Sequence, residues 1–159
     1  MTAAERIGIR RATARDAEAI SAFVVALSEA YIVGEFTPQG RSHFLADHVP
    51  AKVAERLAGD FRFYLAEDGA KIAGVAAIRE NSHLYYLFVG DGYQRIGLAR
   101  RLWARVQEDS LALGNPGRFT VNASNYAVPA YEKLGFRRTA SRTEKSGVQF
   151  NPMQLVRVN

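Results

Sequence analysis

Apolar side chains that recur at intervals of three and four residues predict helices along the chain. The predicted helices cover residues 20–34, 44–57, 97–113 and 127–134. Pro50 is expected to interrupt the second helix, because proline lacks the N–H group that a helix interior needs. Residues 35–40 are predicted to form a loop, since Pro38 and Gly40 are typical of turns.

Short apolar and aromatic runs predict strands between these helices. The predicted strands cover residues 7–9, 61–66, 72–78, 83–89, 119–121, 136–143 and 151–158. Asp68 and Gly69 between two of them indicate a hairpin. The run at 83–89 is almost continuously apolar, which is typical of a central strand buried on both faces. Because hairpins come first and strand–helix–strand crossovers follow, the predicted fold class is α/β (α+β), a mixed sheet covered by helices.

The composition is that of a globular protein, with 159 residues, 48% hydrophobic residues and 23% charged residues. This size predicts a single domain spanning residues 1–159. The chain has no cysteine, which excludes disulfides, zinc–thiolate sites and cysteine nucleophiles. The longest apolar stretch, residues 19–28, is too short to span a membrane, and the N-terminus lacks the apolar block of a secretory signal. We therefore expect a cytoplasmic protein with no membrane partner.

A net charge of +5 predicts an anionic partner. Five arginines fall within one short segment that holds only two acids, Glu108 and Asp109; they are Arg95, Arg100, Arg101, Arg105 and Arg118. This clustering beside one predicted helix start favours a local phosphate site. A nucleic-acid partner is not expected, because the charges do not follow an extended face and no nucleic-acid-binding signature is present.

The segment from Gln94 to Arg100 follows a predicted buried strand and opens a predicted helix. The first turn of a helix presents unpaired backbone N–H groups, and the small residues Gly97 and Ala99 let an anion approach them. The alternative is that Gly97 is only a turn residue before the helix. The nucleoside-triphosphate loop G-x-x-x-x-G-K-[ST] and the dinucleotide fingerprint G-x-G-x-x-G are both absent.

These residues carry a family resemblance. Leu87-Phe88-Val89 followed by Gln94-Arg95-Ile96-Gly97-Leu98-Ala99 resembles the strand and Q/R-x-x-G-x-G/A signature of the GNAT superfamily of acyl-CoA-dependent N-acyltransferases. Residues 121–136, which include Tyr131 and end in Gly135-Phe136, resemble the later strand–helix unit of that family. The resemblance implies a largely antiparallel, twisted sheet with a central splayed parallel strand pair, flanked by helices.

The resemblance also implies acetyl-CoA as co-substrate and no metal. The acetyl-CoA would lie between two parallel strands that end near Val89 and Asn122, with its pyrophosphate on the N–H groups of residues 95–100. The cofactor-binding residues implied in this way are Leu87, Phe88, Val89, Gln94, Arg95, Ile96, Gly97, Leu98, Ala99, Arg100 and Asn125.

Acetyl transfer to a primary amine needs a neutral amine, donors for the oxyanion and a proton for the leaving thiolate. Tyr131 is the candidate acid, because a phenol titrates near ~10 and a thiol near ~8.5; the alternative is a core tyrosine. A backbone N–H near Val89 is the expected oxyanion donor. His83 lies eleven residues before Gln94, at the position where many family members have a glutamate that acts as the general base.

The identity of the base stays open at this stage. The second glutamate position of the family is occupied by Thr120, so both familiar glutamates are missing. His83 is either that base or a strand-end histidine bonded to a neighbour, and Glu80 with a water chain is a further alternative.

The acceptor pocket is expected between the loop that joins the first two helices and the final hairpin. Its candidate residues are Tyr31, Phe36, Tyr85, Phe150 and Met153, and Glu35 is a candidate partner for a cationic amine. The acceptor is a small-molecule amine or, as an alternative, a peptide or protein. A non-catalytic acyl-CoA sensor on the same fold is the competing function, and the choice between monomer and homodimer stays open.

Overall fold

The computed structural model describes residues 2–157, which form helices on both faces of one sheet. The helices are α1 (Ala3–Arg6), α2 (Ala17–Tyr31), α3 (Pro38–Ala46), α4 (Pro50–Leu57), α5 (Leu98–Ala112) and α6 (Val128–Lys133). The strands are β1 (Gly8–Arg11), β2 (Phe61–Asp68), β3 (Lys71–Arg79), β4 (His83–Val89), β5 (Arg118–Ala123), β6 (Arg137–Arg138), β7 (Thr143–Lys145) and β8 (Val148–Val156).

The sheet has the strand order β1-β2-β3-β4-β5-β8-β6, and β7 pairs with the remaining part of β8. All of these pairs are antiparallel except β4 with β5, which is parallel. The fold class predicted from the sequence, a largely antiparallel mixed sheet with one central parallel pair, is therefore confirmed.

Two hydrophobic cores lie on opposite faces of the sheet. The core on the α5 face is built around Leu98, Leu102, Trp103, Phe119 and Phe136, all at most 2% exposed. The core on the other face joins α2 and α4 to the sheet through Ile20, Val24, Val53, Phe63 and Tyr86. Because successive strand residues point to opposite faces, β4 contributes to both cores.

The parallel pair is joined over only two residue pairs, His83 with Thr120 and Leu84 with Val121. Beyond Leu84 the β5 side of β4 has no ladder partner within residues 2–157. A β-bulge at Tyr85 accompanies the divergence, because Ile78 of β3 pairs with Leu84 and the next residue, Ala77, pairs with Tyr86. The two strands therefore open into a gap at their C-terminal ends.

This gap corrects the expectation that the strand at 83–89 is buried on both faces. Only Leu84 and Tyr86 are fully buried, and the residues at 87–89 are half-buried. The sequence shows the apolar run but not the departure of its neighbour, which leaves one edge of the strand uncovered.

The prediction of a loop at residues 35–40 is wrong in its second half, because α3 begins at Pro38. Thr37 caps this helix by accepting the N–H of Gly40 at 3.0 Å, and a proline in the first turn loses no helical hydrogen bond. Pro50 likewise begins α4 instead of interrupting a single helix. Both prolines are helix starts that the sequence pattern had treated as breaks.

The predicted strand at 136–143 is reduced to Arg137–Arg138, and Thr143–Lys145 forms a separate strand in the hairpin with β8. The last predicted strand begins earlier than expected, at Val148, and its final predicted residue, Val158, lies outside the described part of the chain. The helix Ala3–Arg6 was not predicted; a capping box between Thr2 and Glu5 forms it.

Residues 2–157 contain neither a candidate membrane span nor a cluster of metal-binding side chains. No helix in this part of the chain combines the length and apolar character needed to cross a bilayer. Nor does any group of three or more side chains of the metal-binding types come together there.

Candidate active site

The turn between β4 and α5 presents free backbone N–H groups. The first main-chain bond of α5 runs from the N–H of Arg101 to the carbonyl of Gly97 at 3.0 Å, so residues 98–100 precede the helical ladder. Gly97 has a φ of 79° and Arg95 a φ of 66°, both left-handed conformations. Apart from Gly97 and its two chain neighbours, no atom of residues 2–157 lies within 4 Å of the position that a Cβ of Gly97 would take. The turn is therefore an open, positively polarised surface.

Two of the clustered arginines, Arg95 and Arg100, are exposed beside this turn. Arg101 instead donates to the carbonyl oxygens of Ala4 and Ile7, both at 2.9 Å, and so fastens the N-terminus to α5. Arg105 pairs with Asp109. The anion site therefore includes fewer arginines than the five predicted. Arg95 and Arg100 lie at the turn, Arg101 and Arg105 are engaged elsewhere, and Arg118 is exposed at the start of β5.

The other predicted residues of this segment support the turn. Leu98 is 2% exposed in the α5-face core, Ile96 packs against that core, and Ala99 is half-buried. The side-chain Nε2 of Gln94 donates to the carbonyl oxygen of Val89 at 3.4 Å, across the turn.

The edge of β4 at Leu87, Phe88 and Val89 borders the gap. These three residues pair with Ala76, Val75 and Gly74 of β3 on one side and have no strand partner on the other within the described chain. Leu87 and Val89 face the α5 core and Phe88 faces the opposite core. An extended ligand in the gap could take the main-chain bonds that β5 leaves unused.

Tyr131 lies on α6 in the α5-face core and is 7% exposed. Its ring meets the ring of Phe136 edge-on, with centroids 5.5 Å apart. No hydrogen bond to its hydroxyl is found within residues 2–157, and burial raises the pKa of the phenol above its ordinary value. At neutral pH this side chain is therefore a protonated donor without a protein partner.

His83 occupies the closed end of the gap, where β4 and β5 still pair. Its Nδ1 lies 2.7 Å from the hydroxyl oxygen of Thr120, its register partner on β5. Burial, with a smaller contribution from Arg79, lowers the pKa of His83 to about 4. The imidazole is therefore neutral at physiological pH. Glu80 lies exposed in the turn before this strand.

Asn125 follows β5 and its side chain is fully engaged with the protein. Its Nδ2 donates to Glu35 at 2.5 Å and to Gln149 at 2.9 Å, and its Oδ1 accepts a bond from Asn151 at 2.8 Å. The contact with the cofactor arm stays a prediction, because in this structure the amide links the loop after β5 to its neighbours.

Residues 31–40 cross from the end of α2 to the β7–β8 hairpin, and we call them the roof segment. At its far end the N–H of Thr37 donates to the carbonyl of Gly147 at 3.2 Å, and a Cβ on Gly40 would overlap the same carbonyl group. A Cβ on Gly147 would in turn overlap the hydroxyl of Thr37. The sequence pattern does not indicate this contact, because it joins distant parts of the chain.

At its near end the roof segment begins with Tyr31. The Tyr31 ring stacks on Tyr126, with centroids 4.8 Å apart, and its hydroxyl donates to Asp91 at 2.5 Å. Asp91 lies in the turn after β4 and Tyr126 in the loop after β5. Tyr31 therefore connects both sides of the gap, and sequence reasoning had not identified either partner.

The other predicted acceptor residues do not share one surface. Phe36 is half-buried against Phe44, with ring centroids 5.5 Å apart, and Tyr85 packs at the bulge beside the core that joins α2 and α4 to the sheet. Phe150 is half-buried in the hairpin. Met153 instead is 1% exposed in the α5-face core, so this candidate lies on the other face of the sheet.

His48 is a buried polar residue that sequence reasoning missed. It is 4% exposed, and its Nδ1 pairs with the hydroxyl of Tyr86, the residue that follows the bulge. Burial, reinforced by Arg56 and opposed by Asp47, lowers the pKa of His48 to about 4. The pair fastens the corner between α3 and α4 to the central strand.

The splayed pair, the open turn and the tyrosine helix agree with a known domain. The sequence profile of the acetyltransferase (GNAT) domain matches residues 32–157. The chain belongs to the GNAT acetyltransferase family. The match covers both sequence motifs and residues 32–40 of the roof segment, so the resemblance based on the motifs is confirmed.

Solved structures place the GNAT fold on nearly the whole chain. A GCN5-related N-acetyltransferase from Rhodopseudomonas palustris has a TM-score of 0.80 at 22% identity, covering 94% of each chain. The PaiA N-acetyltransferase from Thermoplasma acidophilum, solved with coenzyme A, has a TM-score of 0.79 at 15% identity and covers 95% of this chain and 99% of its own. Spermidine N-acetyltransferase from Vibrio cholerae, solved with CoA and spermine, has a TM-score of 0.65 at 15% identity, covering 96% of each chain.

At these identities the structures show a shared fold. A search of curated proteins found no match to the chain.

Proposed function

We propose that this protein is an N-acetyltransferase that moves the acetyl group of acetyl-CoA to the primary amine of a small molecule. The observation that carries the proposal is the gap between β4 and β5, which opens beside the free N–H groups of the turn at 95–100. A strand edge without a partner and an anion-binding turn are the two features that a phosphorylated, amide-containing chain needs.

The residues present fit coenzyme A. The empty space above Gly97 and the exposed Arg95 and Arg100 suit a pyrophosphate. The unpaired edge at 87–89 suits the pantetheine amides. Bound in this way, acetyl-CoA supplies an activated acetyl thioester to the centre of the sheet.

The transfer forms a bond from the amine nitrogen to the carbonyl carbon and breaks the bond from that carbon to sulfur. A main-chain N–H of β4 near Val89 stabilises the negative charge that develops on the thioester carbonyl oxygen. Tyr131 gives its phenolic proton to the departing sulfur. The raised pKa keeps the phenol of Tyr131 protonated at neutral pH. Burial raises the pKa of a thiol in the same way, so proton transfer from Tyr131 to the departing sulfur stays close to balanced.

His83 is the proposed acceptor of the amine proton, which reaches it through a chain of water because His83 lies at the opposite end of β4 from Val89. In the tautomer that donates Nδ1–H to Thr120, the Nε2 atom is free to take a proton. A base with a pKa of about 4 cannot neutralise a free alkylammonium ion, so the amine must arrive neutral. Once the nitrogen has bonded to the carbonyl carbon its proton becomes acidic, and a weak base then suffices.

The roof segment favours a small acceptor over a peptide or protein. Its two ends are fastened, at Tyr31 to Asp91 and at Thr37 to Gly147, so residues 31–40 bridge the acceptor side of the gap. A folded protein would need an open groove there, whereas a small amine needs only a channel. The peptide acceptor stays as the second candidate.

Replacing Tyr131 by phenylalanine tests the chemistry. Thiol release from acetyl-CoA should fall by about 100-fold in kcat for any amine that the wild type acetylates, because the general acid is lost. The affinity for acetyl-CoA and the free energy of unfolding should change little, since the hydroxyl has no hydrogen-bond partner in residues 2–157. The assay is thiol release across a panel of primary amines.

The same assay separates the enzyme from an acyl-CoA sensor. A wild-type protein that binds acetyl-CoA but releases no thiol faster with any amine would contradict the enzymatic proposal and support the sensor. Full activity in Tyr131→Phe would contradict only the role of the tyrosine.

A further inference from the structure

The roof segment carries one carboxylate, Glu35, whose position the polar network around Asn125 holds. Glu35 is exposed, and one of its oxygens accepts the Nδ2–H of Asn125 at 2.5 Å. The same Asn125 amide donates to Gln149 at 2.9 Å. Three separate parts of the chain, the roof segment, the loop after β5 and strand β8, therefore meet at the amide of Asn125.

The direction of the hydrogen bonds in this network is fixed by its two ends. Arg138 can only donate, and it does so to the Oδ1 of Asn151 at 2.6 Å. Asn151, which is 1% exposed, must then donate through Nδ2, and it bonds the Oδ1 of Asn125 at 2.8 Å. Asn125 in turn donates to Glu35, which as a carboxylate can only accept. Every donor in the series points towards Glu35.

This arrangement orients Glu35 without neutralising it. Within residues 2–157 no lysine, arginine or histidine nitrogen lies within 4.0 Å of its carboxylate, whereas seven other acid–base pairs are that close. Arg138 is separated from it by two amide side chains. Several other acids of this part of the chain also lack an ion-pair partner, and what sets Glu35 apart is the hydrogen-bond series from Arg138 that orients it.

Aromatic rings flank the same point of the roof segment. Tyr31 precedes Glu35 by four residues in the sequence, and its ring stacks on Tyr126, the neighbour of Asn125. Tyr31 is 38% exposed and Tyr126 is 54% exposed, so the outer ring faces are open to a ligand. A carboxylate beside exposed phenol rings is a favourable environment for an alkylammonium group.

We propose that Glu35 binds a second positive charge on the acceptor, so that the preferred acceptors are dicationic amines. One amino group is acetylated in the gap while the other rests as an ammonium ion against Glu35. This inference rests on the proposed function, since it concerns the acceptor of the same site. The hydrogen-bond series from Arg138 to Asn125 then serves to position the carboxylate.

The test compares paired acceptors in the wild type and in Glu35→Gln. Each pair is an α,ω-diamine, from 1,3-diaminopropane to 1,8-diaminooctane, and the n-alkylamine of the same carbon number. Glutamine at this position can still accept the Asn125 hydrogen bond, so the roof contact is kept and only the charge is lost. We expect kcat/KM for the best diamine to fall by about 10-fold, with little change for its monoamine partner.

A second variant controls for net charge. Glu108→Gln removes the same charge from an exposed position on α5. We expect it to leave the diamine-to-monoamine ratio of kcat/KM at the wild-type value. A ratio that is the same in wild type and Glu35→Gln overturns the inference, and it does so even if acetylation itself is efficient.

Calorimetric titration of the same diamines into CoA-saturated protein separates this inference from the proposed function. Diamine binding that Glu35→Gln weakens supports the role of Glu35, even if no amine is acetylated and the enzymatic proposal fails. Diamine binding of equal strength in both proteins, or none in either, overturns the role of Glu35 whatever the outcome of the activity assay.

Discussion

His48 and His83 lie in different parts of the structure but have similar environments. Each has one ring nitrogen paired with a hydroxyl, His48 with Tyr86 and His83 with Thr120. Burial lowers the pKa of each to about 4, so both rings are neutral in the native protein at physiological pH. An acidic solution therefore opposes the native state.

The stability of the fold should fall between pH 6.5 and 4. In the unfolded chain each imidazole binds its proton near pH 6.5, whereas in the fold it stays neutral down to about pH 4. The unfolded state then binds more protons than the native state, so acid favours unfolding. For His48 alone, the free energy of unfolding should fall by about 2 kcal/mol between about pH 8 and pH 5. Urea denaturation at the two pH values measures this change.

His48→Gln is the matched variant, since an amide can still pair with Tyr86 and cannot be protonated in this range. Its free energy of unfolding should change less between the two pH values than that of the wild type, by about the same 2 kcal/mol. An equal pH dependence in the two proteins would contradict the assignment of the shift to burial of His48.

At the scale of elements, the contact between the roof segment and the β7–β8 hairpin determines the shape of the acceptor side. Gly147 has a φ of 78°, and its carbonyl accepts the N–H of Thr37. The backbones of Gly40 and Gly147 approach so closely that neither position has room for a side chain. Glycine is therefore required at this contact for space and, at Gly147, also for conformation.

Gly147→Ala should destabilise the protein by about 2 kcal/mol or more, because it combines a left-handed backbone with a steric clash. Displacement of the hairpin should also raise KM for the acceptor while leaving the affinity for acetyl-CoA unchanged. Urea denaturation and steady-state kinetics measure the two effects.

Gly69→Ala is the control for backbone conformation alone. Gly69 has a φ of 63° in the β2–β3 hairpin, and no atom lies within 4 Å of its Cβ position. We expect a loss of about 1 kcal/mol and no change in acceptor KM. Similar effects of both substitutions on acceptor KM would show that the roof contact does not shape the acceptor site.

The elements that the sequence predicted well are those with strong local patterns. The helix at 97–113 and the hairpin around Gly69 needed only periodicity and turn chemistry, and the structure shows both. The helix starts that the sequence pattern missed depend on where each proline lies relative to the helix. Pro38 and Pro50 are typical helix breakers, yet the first turn of a helix tolerates each of them.

At the scale of the whole molecule, the central feature is the divergence of β4 from β5. The apolar run at 83–89 indicated a central strand, but nothing in it shows that pairing with β5 stops after Leu84. The family motifs supplied that expectation. The bond between Glu35 and Asn125, which joins residues 90 positions apart, could not be predicted from either motif.

The central claim is that the turn at 95–100 binds the pyrophosphate of acetyl-CoA, and Gly97 is the position that tests it. Gly97→Glu places a carboxylate in the space above the N–H groups. Gly97→Ala is the control for the left-handed backbone, and Gly8→Glu adds the same charge to an exposed strand with open space around it.

Calorimetric titration with acetyl-CoA measures all four proteins. The account predicts that the wild type and Gly8→Glu bind equally, that Gly97→Ala binds within ~10-fold of them, and that Gly97→Glu binds at least ~100-fold more weakly while remaining folded. Binding of acetyl-CoA by Gly97→Glu at the strength of Gly97→Ala would contradict the account.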